Sequence, residues 1–551
     1  MAYLSTVSSK KELHNPLENK KVLIIEDFFA FRLTLKKMIR SFNVLELEAA
    51  STGEEALEEL SYRQYDIILC DYNLGSGKNG QQVLEEARYR EYIKNSTIFI
   101  IITAESTMDV FMSSLEYQAD DYLLKPISKD TLERKLRDWI AKKENLKGIE
   151  KELDKKDYGA AVVLCDELIN QHPKNLAEVL KLKGEILIRQ ENFPEAAIFY
   201  ESVLSMGDLP WAMLGLGKAN FFGGDYEKAE KIFRSIIKKN KRIVAAHDML
   251  AKLLERKGDL ESAQQVLQEA VGISPKAILR QRALGKVAYL NSDLKTAETT
   301  FKEVVKQGIH SILKKADDYT SLADVLLKQD KPEEGLSVLR DGAGEFEGDT
   351  AGAMQIAIAE AFACKLTRRD KDSAEAAKKA YELSLTLADS LPNETEMDLA
   401  KALYLTENEE LARNVIKHLA QNNHDDQNVL GKIRSLYKEL NREEEGQFIL
   451  SAALNEIIQL NNEGVRLVRE GKYESAIIIL ERAAARLPGN KVIHANAAHA
   501  AILFMQKEGS TLPLLGKALK FLEALRKADP SYERLEELTA MYCALDRRTD
   551  G

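Results

Sequence analysis

The segment DIILCDYNL, residues 66–74, decides the fold of the first part of the chain, because an apolar run ends within it at Asp71. The same order of an apolar run followed by a polar residue recurs in VLIIED (22–27), IIITAES (100–106) and DYLLKPI (121–127). Short apolar runs that alternate with amphipathic stretches are typical of a doubly wound parallel sheet. Parallel strands end at the same edge of their sheet, so we expect the polar residues that follow them to share one crevice.

Five strands and five helices are predicted in this part of the chain. The strands are expected at Lys21–Glu26, Val44–Glu48, Asp66–Asp71, Thr97–Thr103 and Asp121–Lys125, and the helices at Phe29–Ser41, Gly53–Tyr62, Gln81–Tyr92, Thr107–Tyr117 and Lys129 to about Lys143. Such βα units form one α/β domain of the flavodoxin-like kind. We place this domain at residues 20–144, after a polar leader at residues 1–19.

The polar residues expected in the crevice have complementary chemistry. They are Glu26, Asp27, Asp71, Thr103 and Lys125. Convergent carboxylates repel one another unless a hard cation lies between them, and Mg²⁺ with oxygen ligands meets this requirement. Asp71 can act as metal ligand and nucleophile, while Lys125 and the Thr103 hydroxyl can contact phosphoryl oxygens. A single acid at a strand end is usually only solvated, but five residues at matching strand ends favour an aspartyl-phosphate site.

Together the four motifs resemble those of the receiver domain of bacterial two-component response regulators, over about residues 21–143. The resemblance implies that Glu26 and Asp27 are the acidic Mg²⁺ pair, with the backbone carbonyl of Asn73 as a further metal ligand. It also implies that Asp71 is the phosphoacceptor and that Lys125 binds the phosphoryl group.

The resemblance also assigns the residues that respond to phosphorylation. Thr103 is by this resemblance the switch hydroxyl, and Tyr122 is the switch aromatic residue. Asn73 and Glu105 match a pair found in chemotaxis-type receivers, whose side chains help to orient the water that attacks the phosphoryl group. A short-lived phosphoryl group is implied.

Two features differ from the common pattern of these receivers. The first acid is Glu26, where Asp is the commoner residue. The loop after Asp71 reads LGSGKNG (74–80), where most receivers carry Met-Pro and are one residue shorter. The resemblance therefore does not fix the geometry of this loop. The Lys125-Pro126 peptide bond is expected to be cis, which proline allows.

Beyond residue 144 the pattern predicts helices only, and these helices repeat. Small residues recur 33 or 34 residues apart, and an alanine follows each of them by twelve residues; the small residues are Gly184, Gly217, Ala251 and Gly285. Large residues stand four positions after each of these alanines. The spacing resembles that of tetratricopeptide repeats (TPR), which stack as helical hairpins into a superhelical solenoid.

We divide this array into three parts. Residues 145–310 hold regular repeats, residues 311–458 hold degenerate helical repeats, and residues 459–551 hold a last repeat with capping helices. The period loosens between residues 341 and 392, where glycines cluster. A bend of the array, or its split into two blocks, is left open there.

A row of basic residues accompanies the regular repeats. Lys218, Lys252 and Lys286 each follow the small residue of successive repeats. TPR grooves, lined by the first helix of each hairpin, bind peptides or helices. In a protein of net charge -10, such a row would favour an acidic segment of a partner. The alternative is that these lysines are ordinary solvated helix residues.

The net charge and the apolar pattern of the chain limit the classes of function that we expect. The net charge of -10 disfavours nonspecific binding to nucleic acid or anionic membranes. The chain lacks a long apolar run and its start lacks a signal-peptide core, so we expect a cytoplasmic protein. The strings FGGDY (222–226) and EAL (523–525) resemble motifs of cyclic-dinucleotide synthases and phosphodiesterases, but both fall in predicted helical repeats. An enzymatic or DNA-binding output is the alternative to protein binding.

These observations lead us to expect a phosphorylation-controlled adaptor with no enzymatic activity beyond its own phosphorylation and dephosphorylation. A sensor histidine kinase or a phosphotransfer protein would phosphorylate Asp71, with Mg²⁺ as cofactor. The TPR array would engage or release a protein partner. Nucleic acid and membranes are not expected as partners, and a homodimer through the receiver is left open.

Overall fold

The computed structural model of the protein describes residues 15–104, 119–171, 173, 175–387 and 391–546. The chain divides into two compact units, Met1–Asp318 and Tyr319–Gly551. The first unit has an α/β part and a helical part, and the second is helical wherever it is described. No helix among the described residues is long and apolar enough to span a membrane.

The α/β part is built on a five-stranded parallel sheet in the order β2-β1-β3-β4-β5. The strands are β1 (Lys21–Ile25), β2 (Glu46–Ala50), β3 (Ile67–Asp71), β4 (Ile98–Thr103) and β5 (Asp121–Leu124). The flavodoxin-like fold is therefore confirmed, although β2 lies further along the chain than predicted. The strand order reverses between β1 and β3, which is where open α/β sheets bind their ligands.

Helices cover both faces of this sheet. They are α1 (Phe29–Arg40), α2 (Gly53–Tyr62), α3 (Gly80–Tyr89) and α4 (Lys129–Asp154). Leu23 and Ile68 pack with residues of α2 and α3, whereas Ile24 and Leu69 pack with residues of α1 and α4, because successive side chains of a strand point to opposite faces. The predicted helix Thr107–Tyr117 lies outside the described residues.

Helix α4 is longer than predicted. It runs to Asp154, whereas the sequence pattern indicated an end near Lys143. Its first part packs against the sheet, and its last part packs against the next helix through Leu146, Ile149 and Leu153. The prediction was wrong because the apolar face changes its packing partner at this point without any break in the helix. One continuous helix therefore joins the α/β part to the helical part.

The helical part of the first unit is a series of antiparallel hairpins. Its helices are α5 (Tyr158–Asn170), α6 (Leu176–Arg189), α7 (Phe193–Leu204), α8 (Pro210–Phe222), α9 (Tyr226–Lys239), α10 (Val244–Lys257), α11 (Leu260–Ile273), α12 (Ile278–Leu290) and α13 (Leu294–Gly308). The small residues of the repeat allow close helix contact, since a Cβ atom on Gly217 would lie 2.5 Å from the Phe233 ring. The same contact joins Gly285 to Phe301 at 2.9 Å.

Helical hairpins continue through the rest of the chain. The helices are α14 (Ala316–Lys328), which contains the boundary between the units, α15 (Pro332–Glu345), α16 (Thr350–Leu366), α17 (Asp370–Leu387), α18 (Asn393–Leu405), α19 (Glu409–Asn422), α20 (Gln427–Glu439), α21 (Glu443–Arg469), α22 (Tyr473–Arg486), α23 (Lys491–Glu508), α24 (Leu512–Ala528) and α25 (Leu535–Asp546). The division between the units thus precedes residues 341–392, where the loosened period of the sequence allows a split. The FGGDY string joins α8 to α9, and the EAL string lies inside α24.

Candidate functional site

The acidic residues converge at the C-terminal edge of the sheet. Glu26 and Asp27 follow β1, and Asp71 is the last residue of β3. One carboxylate oxygen from each of the three lies within 4.8 Å of the others. Glu26 and Asp71 are buried and Asp27 is exposed, so the cluster is open to solvent on one side.

Lys125 follows β5 and reaches into this cluster. Its Nζ atom donates to Glu26 Oε2 at 2.9 Å and to Asp71 Oδ2 at 2.8 Å. The same Nζ lies 4.4 Å from the centroid of the Phe31 ring. The peptide bond from Lys125 to Pro126 is cis. One ammonium group thus faces three carboxylates, and negative charge is left in excess.

Burial sets the electrostatics of the cluster. Burial raises the pKa of Glu26 and of Asp71, and the hydrogen bonds from Lys125 offset this only in part. Burial would lower the pKa of Lys125, but its bonds to Asp71 and Glu26 outweigh that effect and raise the pKa. Lys125 therefore stays charged, whereas keeping both Glu26 and Asp71 ionised costs free energy. A hard divalent cation with oxygen ligands fits this donor set.

The two residues assigned to the switch lie on neighbouring strands. Thr103 is the buried last residue of β4, where its backbone carbonyl accepts a 2.8 Å hydrogen bond from the N–H of Lys125. Tyr122 on β5 is half-buried and packs against the core cluster that includes Ile101 and Tyr72. Thr103 therefore lies at the strand edge that carries the acidic cluster, whereas Tyr122 lies further back, beside Ile101 in the middle of β4.

Of the two residues assigned to water orientation, the structure describes one. The backbone N–H of Asn73 donates to the carboxylate of Asp71 and thereby lowers its pKa against the larger effect of burial. Glu105 lies outside the described residues.

Sequence reasoning missed three residues that shape the site. Phe31 packs under Lys125, and Arg32 donates from Nη1 to the backbone carbonyl oxygens of Glu26 and Asp27. Gly80 lies so close to the end of β3 that a Cβ atom would stand 2.2 Å from the backbone oxygen of Asp71. For Gly80 the only sequence signal is its place at the start of α3, directly after the Asn79 capping residue.

The segment between β3 and α3 is a glycine-rich loop with a defined conformation. Gly75 and Gly77 have φ angles of 75° and 102°, which other residues rarely adopt. The backbone N–H of Lys78 donates to Glu54 Oε1 at 3.1 Å, and Asn79 caps α3 with a reciprocal bond to Gln82. This loop is the segment whose length differs from the common receiver pattern.

The three lysines assigned to partner binding form a row on α8, α10 and α12. Lys252 and Lys286 are exposed, and Lys218 is half-buried. Burial lowers the pKa of Lys218, and Lys252 acts in the same direction. Burial raises the pKa of Glu255, which interacts with both Lys286 and Lys252. The row of lysines is therefore basic, but the acidic side chain of Glu255 lies among them.

Comparisons with known proteins fit this architecture. The sequence model described as response regulator receiver domain matches residues 22–137, and that described as tetratricopeptide repeat matches residues 214–278. Chemotaxis protein CheY-3 of Vibrio cholerae is 29% identical over 119 residues, which cover 22% of this chain and 90% of that protein.

Two solved structures are similar to separate parts of the chain. A CheY-like receiver domain protein from Methanospirillum hungatei is 25% identical and covers 23% of this chain and 98% of its own, with a TM-score of 0.21. A tetratricopeptide repeat protein from Parabacteroides merdae is 18% identical and covers 48% of this chain and 98% of its own, with a TM-score of 0.30. By the two sequence models, the chain carries a response regulator receiver domain at residues 22–137, and tetratricopeptide repeats follow it.

Proposed function

We propose that the protein is a phosphorylation-controlled adaptor of two-component signalling. A receiver domain implies a histidine kinase or a phosphotransfer protein as phosphoryl donor, and TPR repeats imply protein partners. The observation that carries the proposal is the cluster of Glu26, Asp27 and Asp71, with Lys125 bonded to two of its members.

Asp71 is the proposed phosphoacceptor. A carboxylate oxygen of Asp71 attacks the phosphorus atom, the bond from phosphorus to the donor histidine nitrogen breaks, and the imidazole leaves. Lys125, already 2.8 Å from this carboxylate, is placed to accompany the transferred phosphoryl oxygens. Glu26, Asp27, Asp71 and the Asn73 carbonyl would hold Mg²⁺, which when bound supplies positive charge to those oxygens.

The proposed output is a change in how the TPR array binds a protein partner. Contacts of the phosphoryl group with Thr103 would shift the balance between two arrangements of Thr103 and Tyr122. Helix α4 runs without interruption from the sheet into the first hairpin, and such a helix would carry a shift at its start to the repeats. The protein would have no enzymatic activity beyond its own phosphorylation and dephosphorylation.

Replacing Asn73 with Arg is expected to lengthen the lifetime of the phosphoryl group at least about threefold, because the new side chain no longer orients the attacking water. The decay of the labelled protein after removal of the donor measures this lifetime. Asn240→Arg adds the same charge at an exposed position far along the chain and should leave the decay unchanged. Equal decay in the Asn73 variant and the wild type would show that Asn73 has no such role.

The lysine row is expected to bind an acidic partner. Reversing one exposed lysine should matter little, since one surface ion pair contributes about 0–1 kcal/mol. Reversing Lys218, Lys252 and Lys286 to Glu together should reduce partner capture at least about tenfold. A matched control reverses Lys231, Lys238 and Lys295, which are exposed on second helices of the same hairpins. If both triple variants lost partner capture equally, the loss would be a general effect of charge, and the lysine row would not be the binding site.

The same capture experiment tests regulation. Wild-type protein with and without beryllofluoride, a phosphoryl mimic, should retain different amounts of the partner, whereas Asp71→Asn should retain equal amounts. Capture that is insensitive to beryllofluoride in the wild type would refute the proposed control of the array by Asp71.

A further inference from the structure

The loop and helix that follow the proposed phosphoacceptor contact residues more than two hundred positions away in the chain. Lys78 Nζ donates to the backbone oxygen of His310 at 2.6 Å, and Gln82 Nε2 donates to that of Gln307 at 3.3 Å. Ser311 Oγ donates to Glu85 Oε2 at 2.8 Å. All of these residues belong to the first compact unit. We call this set of contacts, between residues 78–85 and residues 307–311, the clasp.

A further contact involves Tyr72, which is the neighbour of Asp71 in the chain. Lys276, in the turn before α12, places its ammonium 5.5 Å from the centroid of the Tyr72 ring. Between this contact and the clasp lies a cleft of about 380 Å³, whose lining includes Tyr72, Asn73, Lys276 and His310. The repeats therefore contact the receiver at Tyr72, the residue that directly follows Asp71.

The chemistry of the clasp is that of a reversible contact. Gln82 donates to the carbonyl oxygen of Gln307 in the last turn of α13, where a helix presents carbonyls that lack partners within it. Lys78 donates to that of His310, in the turn directly after this helix. Glu85 Oε1 is buried and accepts no hydrogen bond from the described residues. Burial raises the pKa of Glu85, and Ser311 opposes this only in part. A buried acceptor without a hydrogen bond costs free energy, and opening the clasp to water removes this cost.

The clasp and the Tyr72 contact hold the two ends of one loop. Residues 72–78 contain Gly75 and Gly77, both with positive φ, and such a segment loses much conformational freedom when it is ordered. The same loop carries Asn73, the residue expected to offer a backbone carbonyl to Mg²⁺. Contacts at both ends therefore reduce the cost of ordering a metal ligand.

We propose that residues 307–311 and Lys276 dock the receiver and hold the loop at residues 72–78 in the conformation that completes the acidic site. This inference rests on the proposed function for the identity of the metal. Opening the clasp weakens Mg²⁺ binding, and by linkage a ligand of the acidic site strengthens the clasp. A partner that displaces the receiver from this repeat would likewise weaken Mg²⁺ binding.

Ser311→Glu tests the clasp itself, because it places a second carboxylate against Glu85. Hydrogen exchange of residues 80–89 and of the preceding loop should become at least about threefold faster than in the wild type. Adding Glu85→Lys should restore the slow exchange by restoring an attractive pair. Ser205→Glu introduces the same residue at an exposed helix end and should have no effect there. Unchanged exchange in Ser311→Glu, or no recovery in the double variant, overturns the clasp.

The effect on the metal site is measured with Mn²⁺, whose free fraction is counted by electron paramagnetic resonance. Ser311→Glu should weaken Mn²⁺ binding at least about threefold, although added negative charge alone would strengthen it. The double variant should recover the wild-type affinity. Equal or tighter binding in Ser311→Glu overturns the role of the clasp in the metal site. Failure of the wild type to bind Mn²⁺ would overturn the proposed function as well, whereas the exchange experiment tests the clasp without any metal.

Discussion

Replacing Asp71 with Asn is expected to reduce labelling by acetyl phosphate and Mg²⁺ at least about 100-fold, since an amide oxygen does not form a stable acyl phosphate. Phosphate incorporation into the purified full chain measures the effect directly. The prediction follows from the position of Asp71 at the end of β3, where it combines a carboxylate with two donors. These donors are the ammonium of Lys125 and the backbone N–H of Asn73.

The neighbouring acids are poorer acceptors for structural reasons. Glu26 is fully buried and its two carboxylate oxygens accept from Lys125 and from the backbone N–H of Phe28. Asp27 is exposed, and Lys125 bonds to the other two acids of the cluster. Neither residue therefore combines access with the charge that stabilises a transferred phosphoryl group.

A matched control is available at the opposite end of β3 from Asp71. Asp66 precedes β3 and accepts a 2.9 Å hydrogen bond from the backbone N–H of Lys21, which an asparagine can also accept. Asp66→Asn should therefore be labelled as the wild type is. Labelling that persists in Asp71→Asn would place the acceptor elsewhere in the chain.

The convergence of the acidic residues could be predicted from sequence because it needs only the strand ends. Parallel pairing brings the C-terminal ends of strands together whatever the connecting helices do, so Glu26, Asp71 and Lys125 meet although they lie far apart in the chain. The bond between Lys125 and Glu26 follows from the same edge geometry.

Contacts that depend on the exact path of loops could not be predicted. The spacing of residues 74–80 shows an unusual loop, but not that Lys78 reaches His310. The repeat pattern predicts each hairpin by itself. The position of a distant repeat relative to the receiver, however, depends on small rotations that add up over several hairpins. The continuation of α4 was missed for a related reason, since helical spacing alone does not show where one packing partner replaces another.

A single side chain also shows how far repeat spacing can predict packing. Tyr200 is the large residue four positions after Ala196, and a Cβ atom on Gly184 would lie 2.4 Å from its ring. Gly215 of the next hairpin contacts the same ring, and a Cβ atom there would lie 2.2 Å from it. The first contact lies within one hairpin, whereas the stacking of two hairpins produces the second, as the large residues of the repeat pattern predict.

Gly215→Leu is therefore expected to destabilise the first repeats by about 3 kcal/mol or more, because the buried Tyr200 ring has no space to move away. Thermal unfolding together with hydrogen exchange of α6 to α8 measures the loss, since a chain with two compact units need not unfold in one step. Gly431→Leu is the matched control, because Gly431 also lies inside a helix and a Cβ atom there meets nothing within 4 Å.

A second substitution tests whether the Tyr200 ring causes the loss of stability in Gly215→Leu. Tyr200→Ala removes the ring, so Gly215→Leu should cost much less in that background than in the wild type. The array is stabilised mainly by contacts between neighbouring hairpins, so the damage should be largest in α6 to α8 and smaller in α12 and α13. A loss that is equal in both backgrounds would show that the space occupied by the Tyr200 ring is not the reason why position 215 requires glycine.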